Sequence, residues 1–157
     1  MNNFPATCPA PNVVKPCNCS AIGSIIALNC ENKDLTDSAI SAILRNYTTA
    51  MGFSSNLTEL NLNNNRLTKV PGEVEFFPRL KGLFANYNQI TQLTSGTFDP
   101  ATKLNYLTLM GNKIKNIAPG TFPSELRVCV FIHMEFLQLR KLLLSKDLNY
   151  YAIMHRY

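Results

Sequence analysis

Apolar side chains recur along the middle of the chain in one arrangement, an LxxLxLxxNxLxxL run that appears three times. The first copy is Leu57, Leu60, Leu62, Asn65, Leu67 and Val70; the second is Leu80, Leu83, Ala85, Asn88, Ile90 and Leu93. The third is Leu104, Leu107, Leu109, Asn112, Ile114 and Ile117, and the starts lie 23 and 24 residues apart. Phe77, Phe98 and Phe122 follow as large apolar residues on the return path. Positions four and six fall on one face of a short strand, and position one reaches the same interior from the preceding turn. A single copy is too short to cover its own apolar face. The pattern therefore predicts parallel stacking, which hides each leucine at roughly 1.5–3 kcal/mol per fully buried side chain. The asparagine at position nine stands where the chain leaves the strand, so its amide is expected to satisfy backbone groups and to stack into a ladder. Asn65, Asn88 and Asn112 read as structural.

Upstream, Asp34 to Tyr47 reads as a helix with Leu35, Ala39, Ile43 and Leu44 on one face. Asp34, Thr36 or Asp37 is its expected cap. Tyr47 to Asn56 is small and polar, and reads as a loop on the convex side.

At 157 residues and 46% hydrophobic content, one packed domain is expected. The net charge of +5 divides into +2 over residues 1–125 (10 basic, 8 acidic) and +3 over residues 126–157 (5 basic, 2 acidic). No basic stripe interleaves with aromatics along the repeats, which disfavours a nucleic-acid partner.

Four of the five cysteines, Cys8, Cys17, Cys19 and Cys30, precede the repeats with spacing C-x8-C-x-C-x10-C. A zinc site would show CxxC or paired histidines, and neither is present. A disulfide-closed cap fits better, because a stack needs its first apolar flank and unpaired edge covered. Four cysteines allow three connectivities. The cluster resembles the N-terminal cysteine-rich flank of extracellular leucine-rich-repeat proteins. That resemblance implies Cys8–Cys19 and Cys17–Cys30, and an α/β solenoid: a short horseshoe with a parallel concave sheet and a disulfide-bonded cap.

The CP start, the PCNC element at Pro16 to Cys19, the strand-like Ile25 to Cys30 and the NNNRLTKVP run at Asn63 to Pro71 narrow the likeness. Over residues 8 to about 125 the chain resembles a group of secreted arthropod proteins named after the non-catalytic subunit of a luciferin 2-monooxygenase. The resemblance implies no catalysis by this chain. Sequons at Asn46 and Asn56 are expected glycosylation sites on a secretory route. A third, at Asn18, is set aside because its neighbour Cys19 belongs to the cysteine cluster. Met1 to Thr7 holds no apolar h-region, so the start is expected to be incomplete and the protein extracellular.

The expected organisation is an unstructured start (1–7), a cysteine-rich cap with one helix (8–56), three repeats (57–125), and a tail (126–157). In that tail Leu126, Cys129, Phe131, Phe136 and Leu139 thread as a degenerate fourth repeat, with Met134 in the asparagine slot. Two readings of the rest stay open: a capping helix around Leu137 to Leu148, or sequence foreign to the array. Glu135, Arg140 and Lys141 interrupt a run already too short to span a membrane.

Only two histidines occur, His133 and His155. Cys129 and His133 are four apart, but the repeat frame turns Cys129 into the core, and the pair reads as structural. No phosphate loop, paired-carboxylate motif or metal triad appears, so no enzyme activity, cofactor or metal is expected.

The expected functional surface is the outward face of the sheet: Glu59, Asn61 and Asn63, then Phe84, Asn86 and Tyr87, then Tyr106, Thr108 and Met110. Phe84 beside Tyr106, with Tyr87, Met110 and Glu59 near, forms the candidate anchor for a protein or glycan partner. Two alternatives remain: a structural subunit stabilising a separate catalytic chain, and a fragment of a longer receptor or matrix protein.

Overall fold

The computed structural model describes residues 7–52, 56–123, 126–130 and 151–152. After a 3-10 turn at Pro11–Val13 comes an antiparallel hairpin, β1 (Asn18–Ile22) and β2 (Ile25–Asn29), that pairs Asn18 with Asn29 and Ile22 with Ile25. One helix follows, α1 (Asp37–Met51), and then the short strand β3 (Glu59–Asn61). Next come β4 (Gly82–Phe84), β5 (Gln92–Leu93), β6 (Tyr106–Thr108), β7 (Asn116–Ile117), β8 (Val128–Val130) and β9 (Tyr151–Ala152). The main sheet runs β1-β2-β3-β4-β6-β8-β9, parallel throughout after the first hairpin, and β5 and β7 form a second small parallel pair.

The core is the leucine pattern itself. Leu57, Leu60 and Leu62, Leu80, Leu83 and Ala85, and Leu104, Leu107 and Leu109 are all at most 1% exposed. Strand register stacks Leu28, Leu60, Leu83, Leu107 and Cys129 in one row, so β2 of the cap and β8 both continue the array. Opposite the strands runs an aromatic spine. Tyr47 meets Phe77 edge-on with centroids 5.9 Å apart, and Phe98 stacks on Phe122 at 6.2 Å. Tyr47 is the cap's counterpart of the repeat phenylalanines.

That role moves the helix from its expected bounds. It starts after Thr36, whose hydroxyl accepts from the Ala39 N–H at 3.4 Å, and runs on to Met51 rather than stopping at Tyr47. The stretch read as a polar loop is helical through residue 51 because burial of Tyr47 holds it. Thr48 and Thr49 turn their hydroxyls back to the carbonyls of Leu44 and Arg45, both at 2.9 Å. Gly52, with φ 76°, ends the helix. Asp37 in the first turn accepts from the Thr68 N–H at 2.9 Å, tying cap to first repeat.

The residues threaded as a fourth repeat divide. Leu126 and Cys129 are buried, whereas Phe131, Met134, Phe136, Leu139 and the expected helix around Leu137 to Leu148 lie outside the described residues. So do His133, His155 and residues 1–6.

Candidate functional site

Strand alternation leaves two rows of outward positions on the main sheet. One carries Ala27, Glu59, Gly82 and Tyr106, and the other carries Asn29, Asn61, Phe84 and Thr108. Phe84 is therefore level with Thr108 and not with Tyr106, whose neighbour on β4 is Gly82. The expected Phe84–Tyr106 adjacency is corrected in the backbone and partly recovered by the ring. A Cβ at Gly82 would lie 3.1 and 3.2 Å from Cε2 and Cζ of Phe84 and 3.6 Å from Cγ of Glu59. The ring thus folds back along its own strand into the space that glycine leaves, in the row shared by Glu59 and Tyr106. Tyr106 stays 50% exposed beside it.

The turn after each strand adds the second aromatic. Asn32, Asn64, Tyr87 and Gly111 occupy equivalent places, and all four have left-handed backbone, φ 54–66°. Asparagine and glycine accept that conformation cheaply, but a tyrosine there costs about 1 kcal/mol or more. Tyr87 is nevertheless 57% exposed, and its ring rests over Gly111, where a Cβ would come within 2.9 Å of Cε1. Met110, half-buried, precedes that glycine and accepts from the Tyr87 N–H at 2.6 Å.

Two asparagine ladders hold this face still. The inner one is formed by Asn65, Asn88 and Asn112. Asn88 donates to the carbonyls of Leu62 (2.9 Å), Ala85 (3.2 Å) and Asn86 (3.1 Å), and accepts from the Leu67 N–H at 3.0 Å. The outer ladder was not read from the sequence. Asn63 Oδ1 accepts from the Asn86 N–H, and Asn86 Oδ1 accepts from the Met110 N–H, both at 2.8 Å. These two side chains, expected on the recognition surface, spend their carbonyl oxygens bridging repeats. Recurrence of asparagine two places before the inner ladder was the available signal.

Residues 55–124 match the leucine-rich repeat family. This segment is a leucine-rich repeat array. A protein of Dictyostelium discoideum, described as a probable serine/threonine-protein kinase, is 36% identical over 62 residues, which is 40% of this chain and 5% of that protein. The chain thus spans about a twentieth of the length of that relative.

The leucine-rich repeats are closed at the cap by two disulfides, Cys8–Cys19 and Cys17–Cys30. Beside them is an open polar cleft of about 540 Å³, lined by Asn18, Asn29, Glu31, Asn32, Lys33 and Asn64. Glu31 accepts there from the side chains of Asn61 at 3.2 Å and Asn64 at 3.4 Å.

Of the two expected glycan acceptors, Asn46 is exposed on α1, and Asn56 is half-buried with its Oδ1 accepting from Arg79 at 2.6 Å. Glu73, buried behind the leucine-rich repeats, accepts from Ser41 and from Arg45 Nε at 3.0 Å. Burial opposes its charge, but the Ser41, backbone and Arg45 contacts outweigh that and hold its carboxyl below the ordinary value. Burial pushes the Cys129 thiol well up, so no thiolate nucleophile forms there at neutral pH. Among the described residues no three His, Cys, Asp or Glu side chains converge to hold a metal, and no helix is long and apolar enough to cross a membrane.

Proposed function

We propose that the protein is a secreted, non-catalytic binding module whose repeats curve into a short horseshoe. In this reading it takes a protein or glycan partner on the concave face, at Tyr87, Tyr106, Phe84, Met110 and Glu59. The observation that carries this is Tyr87. An exposed aromatic is kept in left-handed backbone that asparagine or glycine would occupy at less cost, and strain of this kind is retained where a surface has work to do. Tyr106 and the Phe84 ring extend the patch across neighbouring repeats. The asparagine ladders fix the backbone beneath, so a partner buries aromatic area with little loss of conformational freedom.

Two disulfides in the cap support an oxidising compartment. The resemblance of residues 8 to about 125 to the secreted non-catalytic subunit group supports the absence of catalysis.

The test is a screen of the purified chain against extracellular proteins and a glycan array, followed by Tyr87→Ser and Tyr106→Ser. A specific ligand should lose about tenfold or more in affinity with each variant while the melting temperature stays within a few degrees. A ligand that ignores both variants, and protects other amides from exchange, would sink the reading.

A further inference from the structure

The fold presents its three sequons very differently. In α1, Asn46 and Thr48 point roughly 200° apart around the axis, and the Thr48 hydroxyl is buried and donates to the Leu44 carbonyl at 2.9 Å. Thr58, two residues after Asn56, is also buried, with its hydroxyl exchanging 3.0 Å bonds with the Ile26 N–H and carbonyl. A glycosyl-transferring enzyme must reach the asparagine amide and the hydroxyl two residues on together, so both sequons close on folding. Asn18-Cys19-Ser20 does not. It lies on β1, the outer strand of the sheet, with Asn18 and Ser20 on one face and both exposed. Strand alternation sends Cys19 to the other face, half-buried against the core, where it joins Cys8. The disulfide that counted against this site therefore leaves the acceptor clear.

We propose that Asn18 carries an N-linked glycan whose first sugars rest in the polar cleft beside it; the proposal rests on the extracellular reading above. The cleft is the second, independent observation. Asn18 is one of its walls, and the others are amides, one carboxylate and one ammonium, a lining that pairs with sugar hydroxyls and an acetamide and offers nothing to an apolar ligand. In the transfer, Asn18 Nδ2 forms a bond to the anomeric carbon of an oligosaccharide donor. The bond from that carbon to the donor's lipid pyrophosphate breaks, the pyrophosphate leaves with the electron pair, and one amide proton goes to solvent. The attached glycan then covers β1, which pairs with β2 alone among the described residues and also bears Ile22, 75% exposed, and so blocks strand addition there.

The experiment secretes the full chain from a eukaryotic line behind a cleavable leader and maps glycopeptides. The wild-type map, read directly, should show a glycan on Asn18. Asn18→Gln and Ser20→Ala should each lose one glycan mass, and an Asn46→Gln, Asn56→Gln double variant should keep it. Enzymatic release of the glycan should speed amide exchange at Glu31 to Lys33; unchanged exchange there overturns the seat in the cleft. A secreted chain with both disulfides formed and Asn18 unmodified overturns the proposal while the extracellular reading stands. A chain retained and reduced inside the cell overturns both.

Discussion

The ring of Tyr87 fills the space above the α-carbon of Gly111 in the next repeat, so that each residue dictates what the other can be. Any side chain at 111 would meet both a left-handed backbone, φ 66°, and the tyrosine ring. Gly111→Ala should therefore cost about 2–3 kcal/mol, split between backbone strain and overlap. In a Tyr87→Asn background only the backbone share should remain, about 1 kcal/mol, and Tyr87→Asn alone should raise stability by roughly 1 kcal/mol. Urea denaturation of the four proteins gives the coupling directly. Strict additivity would show that the contact is not felt.

Tyr47 hides a hydroxyl with no hydrogen-bond partner among the described residues, and burial raises its pKa to about 12. Tyr47→Phe should stabilise the protein by about 1 kcal/mol, or roughly 2–4 °C in melting temperature. The sign at alkaline pH follows from the same burial. The unfolded chain releases this proton near 10.0 and the folded one only near 12, so the contribution is complete below 10.0 and is lost as pH rises toward 12. Cys129, also raised, adds a slope in the same direction. Urea midpoints measured from pH 8 to 11 should fall less steeply in Tyr47→Phe, and less still with Cys129→Ala added.

Glu73 behaves in the opposite sense. Its folded pKa lies below the ordinary value, so its charge stabilises above the unfolded pKa, and that stabilisation disappears as pH falls through the folded one. Glu73→Gln should cost about 1–2 kcal/mol at neutral pH, mostly through the Ser41 and backbone bonds, since Arg45 is largely exposed and its pairing is screened. Melting curves of variant and wild type should converge as the carboxylate is protonated. A gap that stays constant to low pH would assign the loss to shape rather than charge.

The two asparagine ladders should separate by magnitude. Asn88→Ala strips partners from three carbonyls and one N–H, and should cost about 3 kcal/mol or more. Asn63→Ala frees one half-buried N–H near solvent and should cost about 1 kcal/mol. Equal losses would mean that the outer amide is as structural as the inner one.

The leucine rows and the inner ladder were legible in sequence because period and residue type agree there: only a buried aliphatic suits positions one, four and six. The end of α1 was not legible. Residues 47–51 include two β-branched threonines, which are weak helix formers, and the burial of Tyr47 that keeps the stretch helical depends on Phe77, thirty residues later. Asn63 and Asn86 read as part of the recognition surface because an amide on an outward position looks the same in sequence whether it faces a partner or a neighbouring N–H. Gly82 and Gly111 are vacancies in a sequence pattern, and only the fold shows the rings of Phe84 and Tyr87 set into them. The exposure of Asn18 was not legible either: its sequence neighbour belongs to a cystine, but a strand turns consecutive residues to opposite faces and leaves Asn18 at the surface.

The inner ladder also has a direction. Asn65 bonds to Cys30, Lys33, Leu35, Leu62 and Asn63, and Asn112 to Ala85, Ile90, Leu109 and Met110. With Asn88, every partner of these amides precedes it in the chain. As the polypeptide leaves the ribosome, each asparagine emerges when all its partners have already been synthesised. The array can grow one turn at a time from the cystine-closed end, with no inner-ladder side chain waiting on residues still to come.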